Sequence, residues 1–126
     1  MAKRIIATDK APAAIGPYSQ AVENNGMLFI SGQIPLNPAT GKVVEGDVSA
    51  QAEQVFSNIS AILDAAGYCF EDVIKTTVFI ADMSLFAAVN EVYKKYYQSN
   101  CPARSTVAVK GLPLGVLVEI ETIAMK

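Results

Sequence analysis

The sequence predicts an α+β domain: a single mixed β-sheet with two α-helices packed on one face. Three observations lead there. Two stretches carry apolar residues at helical spacing. The remaining apolar runs are short, rich in β-branched residues and bounded by turn residues. Their order along the chain is ββ, a short irregular piece, then α, β, α, β, β. With 126 residues, 52% of them apolar and 17% charged, the chain has material for one core, and residues 1–126 read as one domain.

Residues 4–8 (RIIAT) form the first strand-like run, and Pro12 with Gly16 and Pro17 then break the chain into a loop that delivers Tyr18 and Ser19. Residues 20–23 and 27–31 flank Asn24, Asn25 and Gly26, a tight-turn signal for a hairpin. Gly32 ends that hairpin where backbone can be approached closely. A helix is predicted over 48–66, with Asp47 or Ser49 as N-cap and Gly67 as stop, because Val48, Ala52, Val55, Phe56, Ile59, Ile62, Leu63 and Ala66 fall on one stripe. Residues 73–80 read as a buried strand, with Ile74, Thr76, Val78 and Ile80 on one face. Asp82 or Ser84 caps a second helix over 85–98, whose stripe is Phe86, Val89, Val92 with Tyr93, and Tyr96 with Tyr97; Asn90 lies on it. Strands over 103–109 and 116–125 follow, separated by a connection full of glycine and proline.

Two helices cover one face of such a sheet, yet the last strand is apolar on both faces. Self-association through the uncovered face, with closed symmetry, is the expected remedy. A net charge of −2 without lysine or arginine clusters argues against nucleic acid or an anionic membrane as partner. No run approaches the roughly 18 apolar residues of a membrane span, and the first residues have no apolar core of a signal peptide. Cys69 and Cys101 lack metal-type spacing and read as free thiols, so the reducing cytoplasm is the expected location. Histidine is absent, which removes Ser-His-Asp and Cys-His chemistry and the usual zinc sites. Acid–base work falls to carboxylates, tyrosines, lysines, backbone or water.

The stretch PARSTVAVKGLPLGVLVEIE, residues 102–121, is where charge enters apolar strands. Read as an antiparallel hairpin with Val109 opposite Val116, it sets Arg104 opposite Glu121 and Thr106 opposite Glu119, all four on one side of the sheet. Two readings stand at that point. One is an ion pair that stabilises an interface. The other is a carboxylate-binding site, in which the arginine fork grips a substrate carboxylate and a glutamate activates water.

The chain resembles the reactive intermediate deaminase family, the RidA or YjgF-like proteins. The motifs that carry the resemblance are APAAIGPYSQ at 11–20, SGQIP at 31–35, KTTVF at 75–79, Val89–Asn90, PARS at 102–105 and VEIE at 118–121. They span essentially the whole length. The resemblance implies a chorismate-mutase-like homotrimer with a barrel-like core and clefts between subunits. It also implies hydrolysis of 2-iminopropanoate and 2-iminobutanoate to keto acids and ammonia, with no metal or organic cofactor. Carried over by motif, Arg104 would hold the substrate carboxylate, and Glu119 would position and activate water. Tyr18, Ser31, Gly32 and Asn90 would line the pocket. Thr106 stands where many members have cysteine and would contact ligand mainly through its backbone. Glu121 is assigned to structure. A non-enzymatic trimer that binds a small keto or amino acid is the competing reading. An endoribonuclease or translation inhibitor is a weaker third, opposed by the acidic balance and absent histidine.

Overall fold

A computed structural model describes residues 2–126; Met1, the first residue of the N-terminal stretch considered above, lies outside the described residues. The elements are β1 (Arg4–Ile6), β2 (Ala21–Asn24), β3 (Met27–Gln33), β4 (Leu36–Asn37), β5 (Lys42–Val43), α1 (Val48–Ala66), β6 (Val73–Ile80), α2 (Phe86–Tyr96), β7 (Ala103–Ala108) and β8 (Val118–Met125). Six strands form one sheet in the order β1-β2-β3-β8-β6-β7, and β4 with β5 forms a separate ribbon. Both helices lie on one face, as expected. No helix among the described residues is long and apolar enough to cross a membrane.

Local chemistry explains most boundaries. The β2–β3 turn has Asn25 at φ 51° and Gly26 at φ 76°, the pair of positive values that a tight hairpin turn requires. Asp47 caps α1 by accepting from the Ala50 N–H at 3.0 Å. Gly67, left-handed at φ 82°, ends it, and the Tyr68 N–H closes back on the Leu63 carbonyl at 2.9 Å. Helix α2 is shorter than the predicted 85–98. A 3₁₀ turn over Met83–Leu85, capped by Asp82, precedes it.

The core lies between α1 and the sheet. Phe56, Ile59, Ile62 and Val55 meet Leu28, Val78, Ile80, Val118 and Ile120, all fully buried. At their edge Phe56 stacks on Tyr96 at 4.4 Å and meets Tyr93 edge-on at 5.8 Å. Strand β8 alternates cleanly: Val118, Ile120, Thr122 and Ala124 are buried under the helices, while Glu119, Glu121, Ile123 and Met125 point away. The facing of β6 departs from the prediction at its start. A β-bulge between Val73 and Lys75 buries Val73 and turns Ile74 out, so strict alternation holds only from Thr76 onward.

The largest departure concerns the C-terminal strands. β7 and β8 do not form a hairpin. Strand β6 lies between them, parallel to β7 and antiparallel to β8. Helix α2 is the crossover of a β6–α2–β7 unit, and the connection after β7 passes β6 to insert β8 in the sheet centre. The apolar content of β8 suits a central strand. The small and polar residues of β7 suit the edge.

The face without helices is apolar in one row across the sheet, where Ile5, Val22, Phe29 and Ile123 are aligned neighbours. Ile5 is 52% exposed and Phe29 44%. The uncovered face anticipated from β8 is therefore present.

Candidate functional site

The cleft between the 12–18 loop, the end of β3 and β8 has a volume of about 690 Å³, and Tyr18, Ser31, Gly32, Leu114, Glu119 and Glu121 are among the residues lining it. Its walls are fixed from below by polar side chains in the core. Buried Gln20 organises the preceding loop: its Oε1 accepts from the Thr8 N–H at 2.7 Å, and its Nε2 donates to the Thr8 and Pro12 carbonyls at 3.0 and 2.8 Å. The Ser31 hydroxyl donates to the Ser19 carbonyl at 2.6 Å, which ties β3 to the segment carrying Tyr18. From α1, the Asn58 amide donates to the Ile34 and Leu36 carbonyls, and Gln51 Oε1 accepts from the Leu117 N–H at 2.8 Å. One helix thus holds the chain on both sides of the cleft.

Replacing Gln20 with Ala leaves these backbone groups without their partners. It is expected to lower unfolding free energy by about 2–4 kcal/mol. Urea unfolding at fixed protein concentration measures this.

The pairing of β3 with β8 slips between Ile30 and Gln33, and Ser31 and Gly32 occupy the irregularity. Glu121 is the β8 residue opposite it in the register, and the Glu119 side chain reaches over to Gly32. A β-carbon on Gly32 would fall 2.9 Å from Glu119 Cδ and closer still to Oε2, so only glycine lets the carboxylate rest there. The Glu119 carboxylate has no hydrogen bond or ion pair among the described residues. Burial raises its carboxyl above the usual glutamate range, and the like charge of Glu121 raises it further.

Arg104 sits elsewhere. Its register partner on β6 is Thr76, which is buried beneath the helices, whereas Glu119 and Glu121 pair with Phe79 and Thr77 on the opposite face. The expected alignment of Arg104, Thr106, Glu119 and Glu121 on one side is thus overturned, and no Arg104–Glu121 pair forms. Inserting β6 removed the direct pairing on which it depended. Arg104 Nη1 instead donates to Asn90 Oδ1 at 2.7 Å, and its guanidinium lies over the rings of Tyr93 and Phe86. Thr106, two residues along the same face, has a buried hydroxyl with no hydrogen-bond partner.

One chain therefore brings together Tyr18, Ser31, Gly32 and Glu119 in one cluster, and places Arg104, Asn90 and Thr106 in another on the opposite face of the sheet. The sequence reading missed the anchoring by Gln20 and the aromatic bed under Arg104. A glutamine set immediately before the apolar pair Ala21–Val22 that opens β2 was the available signal for the first. For the second, it was the spacing of Phe86, Asn90 and Tyr93 on one helical stripe.

Comparison with known proteins places this geometry in context. Residues 8–126 match the family model described as endoribonuclease L-PSP. A mouse relative named 2-iminobutanoate/2-iminopropanoate deaminase is 51% identical over 98% of this chain and 92% of its own length. A crystal structure of a Rid-family protein of unknown function from Yersinia pestis, YyfA, superposes with a TM-score of 0.97 at 51% identity, covering 99% of this chain and 100% of that one. E. coli TdcF, solved with bound serine, gives a TM-score of 0.93 at 48% identity over 98% of each chain.

Proposed function

The chain belongs to the endoribonuclease L-PSP family, which includes the Rid proteins, and from that premise we propose that it hydrolyses 2-imino acids, 2-iminobutanoate and 2-iminopropanoate, to 2-oxo acids and ammonia. The observation that carries this reading is the half-buried Glu119 carboxyl, unpaired and seated on Gly32 in a cleft. A site that only held a carboxylate would need a cation but no such acid. The name of the mouse relative agrees with the reading.

In the proposed reaction Arg104 takes the substrate carboxylate. Water adds to the imine carbon while Glu119 accepts one of its protons. The protonated Glu119 then gives that proton to the nitrogen, and as the C–N bond of the tetrahedral adduct breaks the hydroxyl proton passes through Glu119 to the departing nitrogen, so that the carbonyl forms and ammonia leaves. An imine carbon is already electrophilic, so positioning can supply much of the acceleration. The reaction is a hydrolysis without change of oxidation state, and the proposal contains no metal or organic cofactor. Its role would be to clear reactive imines in the cytoplasm.

Arg104 and Glu119 face opposite sides of one sheet, so a shared substrate needs Arg104 of one copy and Glu119 of another. We therefore place the site between subunits of a homotrimer, which would also cover the exposed Phe29 row. Tyr18, Ser31, Gly32 and Glu119 would form one wall, and Arg104, Asn90 and Thr106 the other.

The test couples a threonine dehydratase to semicarbazide and asks whether the protein suppresses trapping of the imine. Arg104→Ala and Glu119→Ala proteins are each expected to fail. Unfolded and refolded together in equal amounts, they should recover about one quarter of wild-type activity, because that share of randomly formed interfaces joins an intact arginine to an intact glutamate. No suppression by wild type sinks the deaminase reading. No recovery on mixing sinks the shared site. A second reading, a non-enzymatic trimer that binds a keto or amino acid, draws on the serine bound by E. coli TdcF. It predicts ligand binding without suppression.

A further inference from the structure

Arg104 lies on the edge strand β7, a place where a long side chain ordinarily samples many rotamers. Here it does not lie free. Its Cζ is 4.7 Å from the centroid of the Tyr93 ring and 5.5 Å from that of Phe86, and Nη1 is tied to Asn90. All three partners come from α2, and none is charged. Among the described residues no carboxylate pairs with Arg104, and Nε and Nη2 make no internal hydrogen bond. The guanidinium is oriented without being neutralised.

Tyr93 is itself buried and hydrogen-bonded. It is 6% exposed, its hydroxyl shares a 2.8 Å hydrogen bond with fully buried Thr76, and its ring packs against Tyr97 at 4.7 Å. Thr76 is also the register partner of Arg104 on the neighbouring strand. The ring is thus fixed to the same part of the sheet that launches the arginine.

We infer that Tyr93 is a positioning residue: its ring, acting through Arg104, sets the plane in which the guanidinium meets the carboxylate of a 2-oxo or 2-imino acid. The inference rests on the reading that Arg104 is the carboxylate receptor. Arginine binds a carboxylate best through two parallel N–H groups in one plane, so loss of the plane weakens binding even though the charge remains. The aromatic face adds attraction for the cation, which keeps the fork on the ring when no ligand is present. The uncharged bed also matters. An acidic bed would hold the arginine as firmly but would compete with the ligand.

The test compares Tyr93→Leu, Tyr93→Phe and Phe56→Leu. Binding of 2-oxobutanoate is measured by calorimetry, and KM and kcat by the coupled assay. Tyr93→Leu is expected to raise both Kd and KM about tenfold, with kcat within about twofold. Tyr93→Phe keeps the ring and should restore Kd and KM to within about threefold of wild type. Phe56→Leu loosens the same aromatic cluster without touching Arg104, so it should lower thermal stability and leave Kd unchanged.

Unchanged Kd in Tyr93→Leu overturns the inference, as does equal weakening in Tyr93→Phe or Phe56→Leu. If Arg104→Ala abolishes binding while Tyr93→Leu does not affect it, the receptor reading stands and this inference fails. If wild type binds 2-oxobutanoate with the expected Tyr93 pattern but does not hydrolyse imines, the deaminase reading fails and this inference stands. Failure of wild type to bind 2-oxobutanoate overturns it outright.

Discussion

Replacing Glu119 with Gln should lower kcat by about two to four orders of magnitude while 2-oxobutanoate still binds near its wild-type affinity. The amide has nearly the shape of the carboxylate and can rest on Gly32 as Glu119 does. It cannot accept a proton from water. Loss of rate without loss of binding is therefore the expected pattern, measured by the coupled assay beside calorimetry. A variant that retains wild-type kcat would remove Glu119 from the chemistry. The pH dependence carries a matching sign. Only the ionised carboxylate acts as base, so the rate falls as pH drops through its pKa. Glu121 raises that pKa by its like charge, after burial. Glu121→Gln should thus ease ionisation of Glu119 and move the acid limb of the rate profile to lower pH. A shift to higher pH would contradict the arrangement.

Gly32→Ala should reduce kcat/KM by about a hundredfold, although the substitution adds a single methyl group. The conformation of Gly32 is not the reason, since its φ is not positive. The reason is space: the new carbon would lie 2.9 Å from Glu119 Cδ, so the carboxylate must move. Glu119 can rotate toward solvent, which keeps the folding cost small and puts the effect on catalysis. Thermal unfolding beside kinetics separates the two. Lost stability with normal kcat/KM would show that the site tolerates the shift.

Much of this fold was legible because local chemistry and tertiary packing agree. The stripe from Val48 to Ala66, the Asp47 cap and the Gly67 stop all point to one helix, and one helix forms. Asn25 and Gly26 likewise announce their turn. Strand pairing was harder, because neighbours in sequence need not be neighbours in a sheet. A glycine- and proline-rich connection between residues 109 and 116 looks like a hairpin loop, yet it steps across β6. Two signals pointed the other way. A β–α–β succession favours a parallel crossover, and the polar side chains of β7 belong at an edge, not beside the apolar centre. The same misreading decided the site. Arg104 and Glu119 were recognisable as the charged residues of interest, but their relation depended on a strand pairing that does not occur. The spacing of Phe86, Asn90 and Tyr93 puts them on one stripe of α2, but that Arg104 of β7 lies over this stripe is a tertiary contact that neither element shows alone.

The division of the Arg104 and Glu119 clusters across one sheet would have a genetic consequence. If sites form between chains, each chain contributes to two of them, once through its arginine and once through its glutamate. A chain damaged on both faces would spoil both of its junctions, so one such copy in a ring of three would silence roughly two-thirds of the sites. Damage to one face would silence a single junction. Alleles of this protein would then differ in dominance according to which faces they alter, and two defective alleles struck on opposite faces could partly rescue each other.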